Sequence, residues 1–195
     1  MTSDEQIVKL KAEIVRLKAA ISTDPLTGLQ NRRGFHERLR PMVKEVSYQL
    51  ANPQRRRVQI DSLAIVMLDI DNFKTINDQH GHESGDLVLK ELSKVLIDHV
   101  RSLDVVGRMG GEEFAVGLLG ATPEMARKVA EQLREAIEAA DFMTRDAGKL
   151  TVTVSLGVTN LADGASTLDD LLNRADKALY EAKSSGRNRV VVYKG

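Results

Sequence analysis

Six consecutive apolar residues, Leu63-Ala64-Ile65-Val66-Met67-Leu68, run directly into Asp69-Ile70-Asp71. A strand with one wet face alternates apolar and polar residues, whereas an unbroken apolar run marks a strand covered on both faces. The fold is therefore organised around a sheet with other elements backing it. Successive side chains of a strand alternate, so Asp69 and Asp71 point to one side at its end. A carboxylate there carries a large desolvation cost unless a cation or a donor accompanies it. A metal ion answers that need, and so does a following turn that the Asp caps.

A second acidic cluster stands downstream in Arg108-Met109-Gly110-Gly111-Glu112-Glu113-Phe114, set between short apolar runs. Glycine reaches positive φ cheaply and leaves the main-chain N–H groups bare. A phosphate fits against such backbone while Glu112 or Glu113 holds a divalent metal. The plainer alternative is a hairpin turn with two solvated glutamates. Read together, the two clusters are placed to share one Mg²⁺, which takes one or two protein carboxylates plus phosphate oxygens.

The 195 residues suffice for one domain plus an appendage. The 28 basic and 28 acidic side chains cancel, so no global field draws nucleic acid or an anionic membrane. Any anion site must be local. The absence of cysteine excludes disulfides, thiolate ligands and a cysteine nucleophile, and fits a cytoplasmic protein. No apolar run is long enough for a membrane span, and no secretory signal opens the chain.

The chain divides into residues 1–23 and 24–195. In the first part Ile7, Leu10, Ile14, Leu17 and Ile21 recur at spacings of three and four. This is the stripe of a parallel coiled-coil stalk, although a helix packed on its own domain would show it too. Ser22-Thr23-Asp24-Pro25 ends the helix. Beyond it the patterning predicts a helix over 31–50 and a polar loop over 51–61, whose Arg55-Arg56-Arg57 reads as solvated. A helix over 83–100 precedes paired strands at 105–108 and 114–119. A helix over 123–141 is opened by Thr122-Pro123. A strand over 150–159, a helix over 167–184 and a strand over 189–193 complete the domain. The β-α-β-β-α-β order, with one added helix and strand, predicts an α+β fold of ferredoxin-like type with an antiparallel central sheet. The N-terminal helix is additional to it.

Further motifs stand in order around the acidic clusters. Asp24-Pro25-Leu26-Thr27-Gly28-Leu29-Gln30-Asn31-Arg32-Arg33 opens the domain, and Asp69-Ile70-Asp71-Asn72-Phe73-Lys74-Thr75-Ile76-Asn77-Asp78 follows. Gly81-His82-Glu83-Ser84-Gly85-Asp86 comes next. Ser155-Leu156-Gly157-Val158, Ala175-Asp176-Lys177-Ala178-Leu179-Tyr180 and Lys183-Ser184-Ser185-Gly186-Arg187-Asn188-Arg189 close the set. With these motifs the chain resembles, over residues 22–195, the GGDEF family of diguanylate cyclases, here in a Gly-Gly-Glu-Glu-Phe form. Met109 stands where that family often has an aromatic residue.

The resemblance implies an enzyme that joins two GTP into cyclic di-GMP, releasing pyrophosphate, at a homodimer interface. It implies Asp69, the Ile70 carbonyl, Glu112 and Glu113 as ligands of two Mg²⁺ (or Mn²⁺) ions. Glu112 is also the candidate general base, and Lys74 offsets charge on the phosphates. Backbone N–H groups at Asn72 and Phe73, with Gly110 and Gly111, border the phosphates. Asn77 and Asp86 read guanine, His82 lines the same pocket, and Lys183 and Arg187 contact the triphosphate. Arg101-Ser102-Leu103-Asp104 resembles the family's Arg-x-x-Asp product-inhibition site. A regulatory protein or domain acting through the N-terminal helix, and control of biofilm and motility, are further family expectations. A catalytically silent receptor for cyclic di-GMP or GTP is the alternative.

Overall fold

The computed structural model describes residues 6–10, 13, 21–52, 54, 62–146, 148–163 and 167–194. Its elements are β1 (Gln30–Asn31), α1 (Arg32–Ala51), β2 (Leu63–Ile70), α2 (Phe73–His80), α3 (His82–Asp98), β3 (Val105–Gly110) and β4 (Glu113–Leu119). There follow α4 (Pro123–Ala139), β5 (Phe142–Met143), β6 (Lys149–Leu150), β7 (Val154–Asn160), α5 (Leu168–Ser184) and β8 (Val190–Val192).

The apolar run forms β2, and all of its residues are buried. It lies inside a six-stranded sheet of order β1-β3-β4-β2-β7-β8 and is antiparallel to both neighbours. The short β1 and β8 join the edges in parallel. Strand alternation divides the run between two cores. Ala64, Val66, Leu68 and Ile70 pack with Leu92 and Leu96 of α3 and Leu133 and Ile137 of α4. Leu63, Ile65 and Met67 pack on the opposite face with Phe35 and Leu39 of α1 and Leu171 and Leu179 of α5. At about 1.5–3 kcal/mol for each large side chain removed from water, both faces contribute heavily to stability. The expected α+β fold with a largely antiparallel sheet is what the chain adopts.

Helix starts follow local chemistry. Thr122 accepts from the Met125 N–H ahead of Pro123, Thr167 accepts from Asp170 N–H, and Asn31 accepts from Gly34 N–H. Helix α5 lies directly on β7, because a Cβ on Gly157 would overlap the backbone of Ala175 and Leu179. That close approach fixes where the end of α5 reaches.

The single strand expected over 150–159 is two strands. Lys149–Leu150 pairs with Phe142–Met143 in a separate hairpin, and β7 begins only at Val154. Between them the chain turns toward the end of β2, where Asp71 N–H donates to the Thr153 carbonyl and the Asp71 carboxylate accepts from the Thr153 hydroxyl. Helix α2 and strands β1 and β5 are also additions to the sequence reading. They are short, at eight residues for α2 and two for each strand, and carry too little periodicity to register. At the N-terminus residues 6–10, 13 and 21–22 are helical, with Ile7, Leu10 and Ile21 exposed. Ile14, Leu17 and the Arg55-Arg56-Arg57 run lie outside the described residues. Among the described residues no helix is long and apolar enough to cross a membrane.

Candidate active site

Three elements of the sheet meet at one end. Asp69, near the end of β2, stands in register with Glu113 on β4 and Ser155 on β7. The β3–β4 connection is the glycine turn, with φ of 151° at Gly110 and 50° at Gly111. A bulge after Arg108 shifts the register so that Gly110 pairs with Glu113. Glu112 and Glu113 are half-buried beside Asp69.

The Asp69 carboxylate, only 6% exposed, is 2.7 Å from the Lys183 ammonium. Its carboxyl is pushed up to about 6 in all: burial raises it most, Lys183 pulls it down, and the charges of Glu112 and Glu113 add to the rise. The cation that a buried strand-end carboxylate requires is thus supplied in part by α5. Among the described residues no three carboxylates or imidazoles converge as a ready-made metal cage. The donors present are hard oxygens short of positive charge, a set that suits Mg²⁺ completed by phosphate oxygens.

Asp71 shares strand parity with Asp69 but has a different task. Its oxygens accept from Ser155 Oγ at 2.7 Å, Thr153 Oγ1 at 2.8 Å and Asn188 N–H at 3.0 Å. It ties β7 and the segment after α5 to the end of β2. Sequence reasoning missed this role. The hydroxyls at Thr153 and Ser155 were the available signal.

Beyond Asp71 the chain turns through Asn72, a left-handed residue at φ 56°, into α2. The Phe73 N–H opens α2, where a helix has no internal partners for its first N–H groups. Lys74 is exposed in this first turn. Gly81, at φ 80°, joins α2 to α3. The half-buried Asn77 amide lies so close to Gly85 that a Cβ there would overlap it. Asp86, next in the chain, and His82 are exposed on α3. Arg187 is exposed in the turn that follows α5, four residues beyond Lys183.

A family model described as diguanylate cyclase, GGDEF domain, matches residues 21–189. The chain belongs to the GGDEF family. Diguanylate cyclase A of Treponema denticola is 36% identical over 193 residues, covering 97% of this chain and 50% of that protein. The coiled coil and GGDEF domain of DgcB from Caulobacter crescentus, solved with c-di-GMP, superimposes with a TM-score of 0.82 at 26% identity. That match covers 97% of this chain and 95% of the other. Diguanylate cyclase SiaD of Pseudomonas aeruginosa, in complex with its activator SiaC, gives 0.76 at 36% identity, over 97% of this chain and 68% of that one. The chain spans about half or less of the curated relatives it matches.

The opening motif of this GGDEF domain braces the glycine turn. Asp24 accepts from Thr27 N–H and Oγ1 and from Arg108, whose Nη1 lies 3.2 Å from each carboxylate oxygen. Burial raises the Asp24 carboxyl, but the Thr27 and Arg108 bonds outweigh it and hold the group below its ordinary 3.8. Arg108 Nε then donates to the Gly111 carbonyl at 2.9 Å, and Arg32 Nε to the Met109 carbonyl at 3.1 Å. Asn31 Nδ2 donates to the carbonyls of Ile21 and Thr23. The segment at residues 21–23 and the glycine turn are therefore held by neighbouring residues of one motif. The sequence reading assigned none of these braces.

Arg101 and Asp104 sit at the other end of β3, about 20 Å from the turn at 3.3 Å per residue. The Asp104 carboxylate accepts from Arg101 N–H and Leu119 N–H, so it shapes the bend before β3. A cavity of about 460 Å³ opens beside it, lined among others by Arg38, Arg101, Asp104, Gly28 and Gln30.

Proposed function

We propose that this chain is a diguanylate cyclase, condensing two GTP into cyclic di-GMP and two pyrophosphates across a homodimer. The observation that carries the reading is the buried Asp69, charge-paired with Lys183 and in register with Glu113 beside the Gly110-Gly111 turn. In each half-reaction a 3′-oxygen bonds to the α-phosphorus of the other GTP, the bond to pyrophosphate breaks, and the hydroxyl proton passes to Glu112. Such chemistry needs positioning and charge more than covalent help. One domain holds one GTP, so the two sites must face each other across an isologous interface.

Asp69, the Ile70 carbonyl, Glu112 and Glu113 would hold one or two Mg²⁺ or Mn²⁺ ions, which supply positive charge at the transferring phosphoryl group. The N–H groups at Asn72 and Phe73, the bare backbone of Gly110 and Gly111, and the Lys74 ammonium receive the phosphates. Asn77 and Asp86, brought to one corner by the α2–α3 turn, read the guanine edge, with His82 at its border. An Asp accepting from N1–H and N2–H₂ selects guanine, since adenine lacks that donor pair. Lys183 and Arg187 bind the triphosphate.

Product inhibition through Arg101 and Asp104 is supported by the adjoining cavity. Arg38 from α1 faces it as well, so two guanidinium groups border a space suited to a ligand with two phosphates. Input through the N-terminal helix is supported by the exposed apolar side chains of Ile7, Leu10 and Ile21 and by the known SiaD complex with an activator.

Incubating the purified chain with GTP and Mg²⁺ at several protein concentrations, with product identified by mass spectrometry, tests the proposal. Cyclic di-GMP, formed at a rate rising faster than linearly in protein, is the expected result. No product from a folded sample at any concentration would overturn it in favour of a receptor.

A further inference from the structure

The turn after α5 holds three consecutive residues in left-handed conformations: Gly186 at φ 122°, Arg187 at 61° and Asn188 at 45°. Glycine adopts such angles freely, but Arg and Asn do so at a cost that the surroundings must offset. The offsetting contacts converge on Asn188, two of them from α4. Its side-chain NH₂ donates to Glu138 Oε1 at 2.7 Å, and its side-chain oxygen accepts from Arg134 Nη1 at 3.1 Å. Its N–H donates to Asp71 at 3.0 Å.

Arg134 is itself fixed before it reaches Asn188. It is only 16% exposed and bonds Glu131 and Glu138 along α4 at 3.1 and 2.7 Å. The neighbouring Arg187 N–H returns to the Ala182 carbonyl, locking the turn onto the end of α5. The exposed Arg187 guanidinium makes no ion pair among the described residues.

We infer that Arg134, Glu138 and Asn188 form a clasp on the far side of the turn, and that they are positioning residues for the polyphosphate. The clasp holds Arg187 in its left-handed conformation, so that its guanidinium and the Lys183 ammonium face the same anion. Released from it, the turn relaxes toward ordinary angles and Arg187 leaves that alignment. This inference rests on the assignment of Arg187 to the triphosphate.

Calorimetric titration of the full chain with Mg²⁺ and α,β-methylene-GTP, whose α–β linkage cannot be cleaved to pyrophosphate, tests it beside titration with GMP. Asn188→Gly removes both side-chain bonds while keeping the backbone angle accessible. It is expected to weaken the triphosphate about five- to tenfold and leave GMP affinity unchanged. Arg134→Ala should act in the same direction, and Glu138→Gln, which keeps an acceptor for Asn188, should restore most of the loss seen in Glu138→Ala. A general loss of structure would weaken both nucleotides together, and that pattern overturns a positioning role. Arg187→Ala separates the two levels. If it weakens the triphosphate but Asn188→Gly and Arg134→Ala do not, the clasp is wrong. If Arg187→Ala itself changes nothing, the triphosphate assignment fails and the clasp with it.

Discussion

Asp69 and Asp71 are two residues apart on one side of the chain, yet their surroundings give them opposite fates. Asp71 has three protein donors and behaves as a fastening. Asp69 has one flexible ammonium and two neighbouring carboxylates, so its charge is poorly compensated where it is buried. Asp69→Asn removes that charge while keeping the shape. Product formation should fall on the order of 10²-fold or more, while the melting temperature stays within a few degrees or rises. A rate assay and a thermal melt on one preparation check both halves. The sequence made both carboxylates legible, because an acidic pair at the end of an apolar run has few explanations. The pattern itself did not distinguish them, and only the family resemblance singled out Asp69, since the hydroxyls that saturate Asp71 come from Thr153 and Ser155, more than eighty positions away.

At the level of elements, two braces deserve separate tests. The Asp24–Arg108 pair joins the turn before β1 to β3 and is largely buried on both sides. Arg108→Ala removes that pair and the bond to the Gly111 carbonyl, and should cost about 2 kcal/mol in denaturant unfolding. Folding holds the Asp24 carboxyl below its ordinary 3.8, so below about pH 4 the unfolded chain binds that proton more readily. The contribution of Asp24 is therefore complete above the unfolded value and disappears as pH falls through the folded one. Asp24→Asn should flatten the acid limb of a stability–pH curve in that window and leave neutral pH nearly insensitive to pH. The second brace is the contact of α5 with Gly157. Gly157→Ala should destabilise by about 1–3 kcal/mol and weaken GTP binding, because lifting α5 withdraws Lys183 from Asp69. Element positions were readable wherever a cap and a period coincided, as at Thr122-Pro123. The β5–β6 hairpin was not readable, because two-residue strands have no period and their pairing depends on where Asp71 draws the chain.

For the whole molecule, the helical residues described at the N-terminus leave Ile7, Leu10 and Ile21 open to solvent, and Asn31 holds the Ile21 carbonyl. Ile7→Lys with Leu10→Lys should lower activity at dilute protein concentrations, restore it on concentrating the sample, and leave the melting temperature of the domain unchanged. Activity measured across a dilution series alongside sedimentation checks this.

The sheet has a further consequence. Because β2 belongs to both cores, neither face can open without exposing part of it. Its amides should be among the slowest to exchange with deuterated solvent, at the rate of global unfolding rather than of local opening. Asp69 is therefore carried on the segment that comes apart last.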